Sequence, residues 1–379
     1  MNKSRIMFLA AANNVHTMKW VNALSEKYEI HLVTCKNHSK ILNDINENVH
    51  IHKLKFAAPL GYYTNAMELK RLYKAIKPQL VNVHFASGYG TLARVAKINP
   101  VLLSVWGSDI YIFPNKNKMN KKILYKNLSY ANTIASTSEN MKTEILKLYP
   151  DIDKKIYITP FGVDTNKFKK NENVKKNDNF RIGIVKGLEK NYAVEDLIVA
   201  FKKLLEKTNR EKFPQKLELY IYGDGSLRTQ LEELTSELNI KDKVFFEGRI
   251  SNDDVPEALS KMDLFCVTSV SESFGVSVLE AMSVGIPVVA TDAPGFKEII
   301  ENNKTGILVP RRDTDMICNA MYNLMKNEEM RKTLSMNAMK MVKEKFELKN
   351  NVNDMISLYE KVKKWKKYCN IFLVLTMEE

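Results

Sequence analysis

The chain is poor in the side chains that build covalent or metal frameworks. Its 379 residues include only four cysteines, Cys35, Cys266, Cys318 and Cys369, scattered and without a Cys-x-x-Cys pair. That spacing suggests neither a disulfide scaffold nor a zinc finger or ribbon. Histidine is nearly as scarce: all six lie at or before His84, so the second half has no histidine metal site. His50 and His52 share one face of a strand, a pattern more often found at a surface than around a metal. No apolar run approaches the length of a membrane span. The apolar stretch 6–12 after Lys3-Ser-Arg5 suits a first parallel strand better than the core of a signal peptide. A cytoplasmic protein is therefore expected.

What the chain has in excess is positive charge, with 58 Lys and Arg against 44 Asp and Glu, a net of +14. Such a balance fits nucleic acid, an acidic substrate or an anionic membrane surface. The lysines are dispersed and no RNP stretch or zinc finger is present, so no nucleic-acid partner is expected. The end of the chain packs five lysines around two aromatics over 361–368 and follows them with the apolar run 371–375. One reading is peripheral docking on the inner face of an anionic membrane. The other is a solvated terminal helix with an apolar plug.

Length favours two domains. Short apolar runs at 6–9, 30–34, 49–56, 80–85, 101–105, 133–136 and 156–159 alternate with amphipathic helical stretches. After a polar, charged segment at 169–179 a second alternation begins, with strands at 180–185, 217–222, 244–247, 264–268, 288–291 and 307–309. Helices at 194–207, 227–238 and 255–262 fall between them. Each half therefore reads as an α/β, doubly wound parallel sheet, with ligands at the carboxyl ends of its strands. The expected division is 1–168, a linker at 169–179, 180–350, and a C-terminal segment 351–379.

One segment carries more chemistry than any other: Ser271-Glu-Ser-Phe-Gly-Val-Ser-Val-Leu-Glu280-Ala-Met. A strand at 264–267 is followed by a loop to Ser273, and Gly275 permits a tight turn and a close approach to a ligand. A short helix then runs from Val276 to Gly285, with Pro287 beyond it. Amide groups at its start can receive a diphosphate, because a helix N-terminus combines unpaired donors with partial positive charge. Glu280, one turn in, can accept from two vicinal sugar hydroxyls, and Glu272 sits at the loop mouth. Taken alone the two glutamates could equally be a cap and a solvated face.

The continuation is more specific. Leu219-Tyr-Ile-Tyr-Gly-Asp-Gly225, Val244-Phe-Phe-Glu-Gly248, the glutamate segment, Gly285-Ile-Pro-Val-Val-Ala290-Thr-Asp-Ala-Pro-Gly295 and Gly306-Ile-Leu-Val-Pro310 occur in that order. Together they resemble glycosyltransferase family 4, retaining sugar transferases of the GT-B fold, in which two Rossmann-like domains face across a cleft. The resemblance implies that the last helix returns to the first domain. It implies a nucleotide diphosphate sugar donor, UDP- or GDP-linked, with no resident cofactor and no metal. Gly248, Arg249 and Ile250 would meet the base, while Phe274, Gly275, Val276 and Ser277 approach sugar and phosphates. Glu280 would take the ribose and Glu272 hydroxyls of the transferred sugar.

The chain departs from the family pattern in four places. Lys186-Gly187 replaces a Gly-Arg pair, and Tyr192 stands where a phosphate-clamping lysine is usual. Lys186 and Lys190 could still supply point charges, without a bidentate guanidinium fork. Asn13 and Asn14 replace a Gly-Gly pair and are the residues best able to adopt left-handed geometry in its place. His16 follows them, matching a family histidine that could face the acceptor or donor phosphate. Trp106 replaces a histidine before Asp109, leaving Asp109 as an acceptor-orienting or proton-accepting group. Trp106 could stack on a sugar ring or a lipid chain, and His84 is placed on the same acceptor-side edge. The pairs Asp151/Asp153 and Asp313/Asp315 have the Asp-x-Asp spacing of a metal-diphosphate site, but the second opens a helix, where aspartate caps are usual. The implied activity is transfer to a hydroxyl of a lipid-linked or polysaccharide acceptor, in cell-surface polysaccharide assembly. Nucleotide-sugar epimerisation or hydrolysis on the same fold is the alternative.

Overall fold

A computed structural model describes residues 3–40, 45–152, 154–174 and 178–375, with side chains as far as Lys363. The chain divides into two compact units, Met1–Phe161 with Lys349–Glu379, and Gly162–Leu348. The division falls ahead of the boundary expected at residue 168, and the described part of the expected linker belongs to the second unit. There Asn171 N–H donates to Ser260 Oγ at 3.0 Å.

The first unit is a seven-stranded parallel sheet. Its strands are β1 (Arg5–Leu9), β2 (Glu29–Thr34), β3 (His50–Lys53), β4 (Leu80–His84), β5 (Val101–Val105), β6 (Thr133–Ser136) and β7 (Ile156–Ile158), in the order β3-β2-β1-β4-β5-β6-β7. The second unit has six: β8 (Phe180–Val185), β9 (Leu217–Tyr222), β10 (Val244–Gly248), β11 (Leu264–Val267), β12 (Val288–Thr291) and β13 (Ile307–Val309), in the order β10-β9-β8-β11-β12-β13. Strands β4, β5, β11 and β12 are buried along their whole length. Helices cover both faces of such sheets, which is why these strands read as continuous apolar runs rather than alternating ones. The edge strands β3 and β7 have no fully buried residue, and β3, expected over 49–56, forms only over His50–Lys53.

In each sheet the strand order reverses once, between β1 and β4 and between β8 and β11. Crevices at the carboxyl ends of strands open at such reversals. Asn13, Asn14, His16, His84, Trp106 and Asp109 of the first unit lie at or after the ends of β1, β4 and β5, and most of the donor-side residues of the second follow β8, β10 or β11.

The terminal helix Leu348–Leu375 belongs to the first unit. Its anchor is Tyr359, fully buried, whose hydroxyl donates to Asn82 Oδ1 at 2.7 Å. The same oxygen accepts from His84 Nε2 at 2.9 Å, so this hydrogen bond selects the Nε2–H tautomer. The side chains that carry the expected membrane-docking surface, after Lys363, lie outside the described residues. No described helix is long and apolar enough to cross a membrane.

Burial, reinforced by His16, pushes the His84 imidazole down to about 3. The ordinary value near 6.5 applies to the unfolded chain, which therefore takes the proton first as pH falls. The contribution of neutral His84 is complete above about pH 6.5 and declines by about 1.4 kcal/mol per pH unit below it. Urea unfolding at pH 7, 6 and 5 should show the midpoint falling, with a shallower fall in His84→Gln. Tyr359→Phe should lower stability by about 1 kcal/mol at any of these pH values.

Candidate active site

In the second unit the loop after β11 and the turn after β8 are bound to each other. Val270 N–H donates to Asn191 O at 3.0 Å, and Thr268 Oγ1 donates to Ala193 O at 2.8 Å. This brings Lys186, the first residue after β8, to Glu272, with Nζ and Oε2 2.5 Å apart. Both side chains are nearly closed to solvent, 13% and 10% exposed. The ammonium also lies 4.4 Å from the centre of the Tyr192 ring. Burial alone would push the lysine down, but Glu272, Tyr192 and Glu280 together hold it above its ordinary value. Lys186 thus stays charged, and Tyr192 provides it with an aromatic face.

The helix Val276–Val284 starts beside this pair. Its cap is Gly275, at φ 104°, and a Cβ there would sit 2.9 Å from the Phe296 ring. Gly295 meets the preceding loop still more closely: a Cβ would lie 2.5 Å from Phe274 N and 2.8 Å from Glu272 O. Gly295 N–H donates to Glu272 O at 3.0 Å. Two glycines at these positions let the loop 272–275 lie flat on the next turn. Phe274 is buried with its ring edge-on to Phe346 at 5.8 Å, so it offers a ligand its backbone and not its ring. Val276 and Ser277 occupy the first helical positions, whose N–H groups have no intrahelical acceptor. The Ser277 hydroxyl is buried and has no hydrogen-bond partner among the described residues. Glu280 is 7% exposed and close enough to Lys186 to support its charge.

Beside Lys186 an open depression of about 440 Å³ is lined by Gly187, Tyr222, Asp224, Arg249 and Ile250. Lys186 N–H donates to Tyr222 O and Gly223 N–H to Gly248 O, so the turns after β8, β9 and β10 share one wall. Arg249 and Lys190 are exposed, and neither makes an ion pair among the described residues. Asp313 accepts from Met316 N at 2.9 Å as a helix cap, and Asp315 pairs with Lys203. Asp151 accepts from the Tyr125 hydroxyl, while Asp153 lies outside the described residues.

The acceptor-side residues of the first unit take on different work from that expected. Asn14 is not left-handed: at φ −110° it caps the helix Val15–Ser25, accepting from His16 N at 2.8 Å and Thr17 N at 3.3 Å. Asn13 is not among the positive-φ residues either. A side-chain cap replaces the glycine turn, because asparagine supplies the oxygen that the first free N–H groups need. His16 stacks on Phe161 at 4.2 Å, with Trp106 edge-on at 5.8 Å. Trp106, 7% exposed, is surrounded by His16, His84, Phe85 and Phe161, so its ring is the hub of a cluster and not a platform for a sugar or a lipid. His84 is equally enclosed.

Asp109, 1% exposed, uses both oxygens on backbone: Oδ2 accepts from Ala86 N, and Oδ1 from Trp106 N and Gly107 N. Burial raises it, and these bonds act in the opposite direction. It is a brace tying the turn after β5 to the one after β4, not an exposed proton acceptor. Sequence reasoning missed the Lys186–Glu272 pair, the Tyr192 face over it and the free Ser277 hydroxyl. Only the strand order, placing β8 beside β11, could have paired residues 86 positions apart.

Removing one member of a buried pair strands the other charge, at a cost of about 3–5 kcal/mol. Lys186→Met should therefore destabilise the second unit by an amount of that order. Adding Glu272→Gln should recover most of the loss, measured as denaturant midpoints of the two variants.

Comparison with known proteins agrees with this geometry. Residues 5–138 match a family model described as glycosyl transferase 4-like, and residues 165–341 one described as glycosyl transferases group 1. The chain is 25% identical over 353 residues to N-acetyl-alpha-D-glucosaminyl L-malate synthase of Bacillus anthracis, covering 88% of this chain and 89% of that protein. It is 24% identical over 370 residues to UDP-Gal:alpha-D-GlcNAc-diphosphoundecaprenol alpha-1,3-galactosyltransferase of Escherichia coli, again covering 88% and 89%. Sucrose-phosphate synthase from Thermosynechococcus elongatus superposes with a TM-score of 0.82 at 17% identity, over 95% of this chain and 99% of that one. With both models matched in order along two doubly wound units, the chain belongs to the group 1, family 4-like glycosyltransferases of the GT-B fold.

Proposed function

We propose that this glycosyltransferase moves a hexose from a nucleotide diphosphate sugar to a hydroxyl of a lipid-linked or saccharide acceptor, with retention of anomeric configuration. The observation that carries the reading is the buried Lys186–Glu272 pair beside the start of the helix Val276–Val284. A diphosphate arriving there finds a lysine that stays protonated, two helix-start N–H groups and the Ser277 hydroxyl. All of them are oriented before charge develops, which is what makes such groups effective. Exposed Lys190 adds a point charge. The depression at Gly187, Tyr222, Asp224, Arg249 and Ile250 takes the base, and Glu280 accepts from the ribose hydroxyls.

In the proposed step the acceptor oxygen bonds to the anomeric carbon on the face that the diphosphate leaves. The carbon–oxygen bond to phosphate breaks, and its electron pair departs with the diphosphate. The hydroxyl proton passes to a phosphate oxygen. Glu272, displaced from Lys186 by the phosphates, turns to hydroxyls of the transferred sugar. Positive charge for the leaving group comes from Lys186, Lys190 and the helix start, and the reading assigns no resident cofactor and no divalent cation. His16, at the start of its helix, and the exposed Asn13 before it are the acceptor-edge residues assigned to meet a substrate.

The UDP donor and diphosphoundecaprenol acceptor in the name of the Escherichia coli relative support a UDP-sugar and a lipid-linked acceptor in surface polysaccharide assembly. The malate in the name of the Bacillus relative is the reason to test small acceptors beside lipid ones. The test is nucleotide diphosphate release by the purified protein over a panel of UDP- and GDP-sugars, with and without a membrane lipid extract and a set of small hydroxy acids. Release from one donor, stimulated by one acceptor class, is expected. Equal release of free sugar or of an isomer with no acceptor present would replace transfer by hydrolysis or epimerisation. Glu280→Ala should raise the donor KM about tenfold or more, and full donor affinity in that variant would sink the ribose assignment. Lys186→Met with Glu272→Gln should lower kcat by about 100-fold or more while remaining folded.

A further inference from the structure

At the other end of the first sheet, away from these residues, lies a compact group of imidazoles. Glu29 and His31 share one face of β2, and His50 and His52 the facing positions of β3, with His31 in register with His50 and Val33 with His52. Glu29 and His50 are the first residues of their strands. The residues discussed above follow the carboxyl ends of β1, β4 and β5, so this cluster is not part of the transfer site. The His31 ring stacks on His50 at 4.8 Å and 23°, and on His52 at 5.3 Å and 25°. Its two nitrogens are both engaged: Nε2 lies 2.9 Å from Glu29 Oε1, and Nδ1 lies 3.0 Å from His52 Nε2. One ligand atom each from Glu29, His31 and His50 fall within 4.8 Å of one another.

We propose that Glu29, His31 and His50 bind a zinc-class divalent cation, with His52 orienting His31, and that this cation clasps the edge strand β3 to the sheet. Two imidazoles and one carboxylate are the donor set of a zinc site with one position left for water. Nickel, cobalt and copper ions share the preference for imidazole, whereas magnesium and calcium take oxygen ligands. Ligand atoms around tetrahedral zinc stand about 3.3 Å apart, given bonds near 2.0–2.2 Å. Glu29 and His31, 2.9 Å apart, need only part slightly to reach that spacing, and His50, exposed at the sheet edge, is the ligand with room to close in. The Nδ1 contact matches the usual support of a metal-bound histidine, in which the second ring nitrogen donates its proton to a neighbour. Without a cation His31 Nε2–H donates to Glu29 Oε1 and Nδ1 accepts from His52 Nε2–H; cation binding switches the tautomer, so that Nδ1–H donates to His52 Nε2 and the Nε2 lone pair meets the metal.

Arg5 stands in register with Glu29 and opposes a cation at that end. Burial and, to a lesser extent, the Arg5 charge hold the His31 imidazole below its ordinary value, but Arg5 repels at a distance while the ligands bind directly, so direct ligation decides the outcome. A clasp has a structural reason here: β3 is four residues long and pairs on one side only.

The test uses the full chain without a histidine tag, stripped with chelator and titrated with zinc by calorimetry, and with cobalt followed by absorption. One zinc per chain at micromolar free metal is expected, with the strong visible bands of tetrahedral cobalt. His50→Ala and Glu29→Gln should each weaken binding tenfold or more, and His52→Ala by about 10–100-fold. His50 is exposed, so its variant is the one whose folding the change does not threaten. Zinc should raise the melting temperature of the parent chain and leave that of His50→Ala unmoved. Absence of saturable binding, or equal affinity in His50→Ala and Glu29→Gln, would overturn the proposal.

Discussion

The contact on which the second unit's loops depend is the ion pair between Lys186 and Glu272. Two unit charges have left water there, and neither is tolerable without the other. That requirement fixes the turn after β8 against the loop after β11, and with it the angle at which the helix Val276–Val284 opens. Glu280 and the ring of Tyr192 complete the surroundings of the ammonium, keeping it protonated although it is buried. In the proposed reading, a diphosphate at this place would exchange one anion for another around a cation that is already in position. Under that reading the site is preorganised, its cation oriented before the bond to carbon breaks.

The close packing of the loop makes the arrangement possible. With a Cβ at Gly295 the backbone of Ser273 and Phe274 could not lie where it does, and Glu272 would be carried away from Lys186. Phe274, which looks from its position like a substrate contact, spends its ring on Phe346 and so nails the loop down. In the first unit, the corresponding strand ends are held by aromatic packing and backbone hydrogen bonds. Trp106 at the hub, Asp109 as the brace and His84 tied through Asn82 to Tyr359 form a rigid floor beneath His16. Substituting Trp106 for the family's histidine thus exchanges a titratable group for packing.

Much of this was legible in the residues. Thirteen apolar runs of strand length, separated by helical periodicity, appear as thirteen parallel strands in two sheets, because a strand covered on both faces needs apolar residues throughout. The helix expected to end at Gly285 does so, with that glycine at φ 83°, where other residues would be strained. Ser277 and Glu280 could be assigned to this helix from spacing alone. Where edge position weakens the pattern the reading was looser, and β3 proved half the expected length. Asn14 differs from expectation for a related reason: asparagine suits both a left-handed turn and a helix cap, and the helix-start N–H groups of His16 and Thr17, which donate to its side chain, choose between them.

The sequence by itself determined the elements, their order and the presence of two nucleotide-fold halves, since periodicity and glycine placement are local properties. It also singled out the segment 271–282 to which the donor chemistry is assigned in the proposed function. Which side chains meet was decided only by tertiary structure, because strand order brings together residues that no spacing rule connects. Lys186 and Glu272 are joined by the adjacency of β8 and β11, and His31 and His50 by that of β2 and β3. Burial was decided there as well: Asp109, His84 and Trp106 look like reagents in a one-dimensional reading and are structural once their surroundings exclude water.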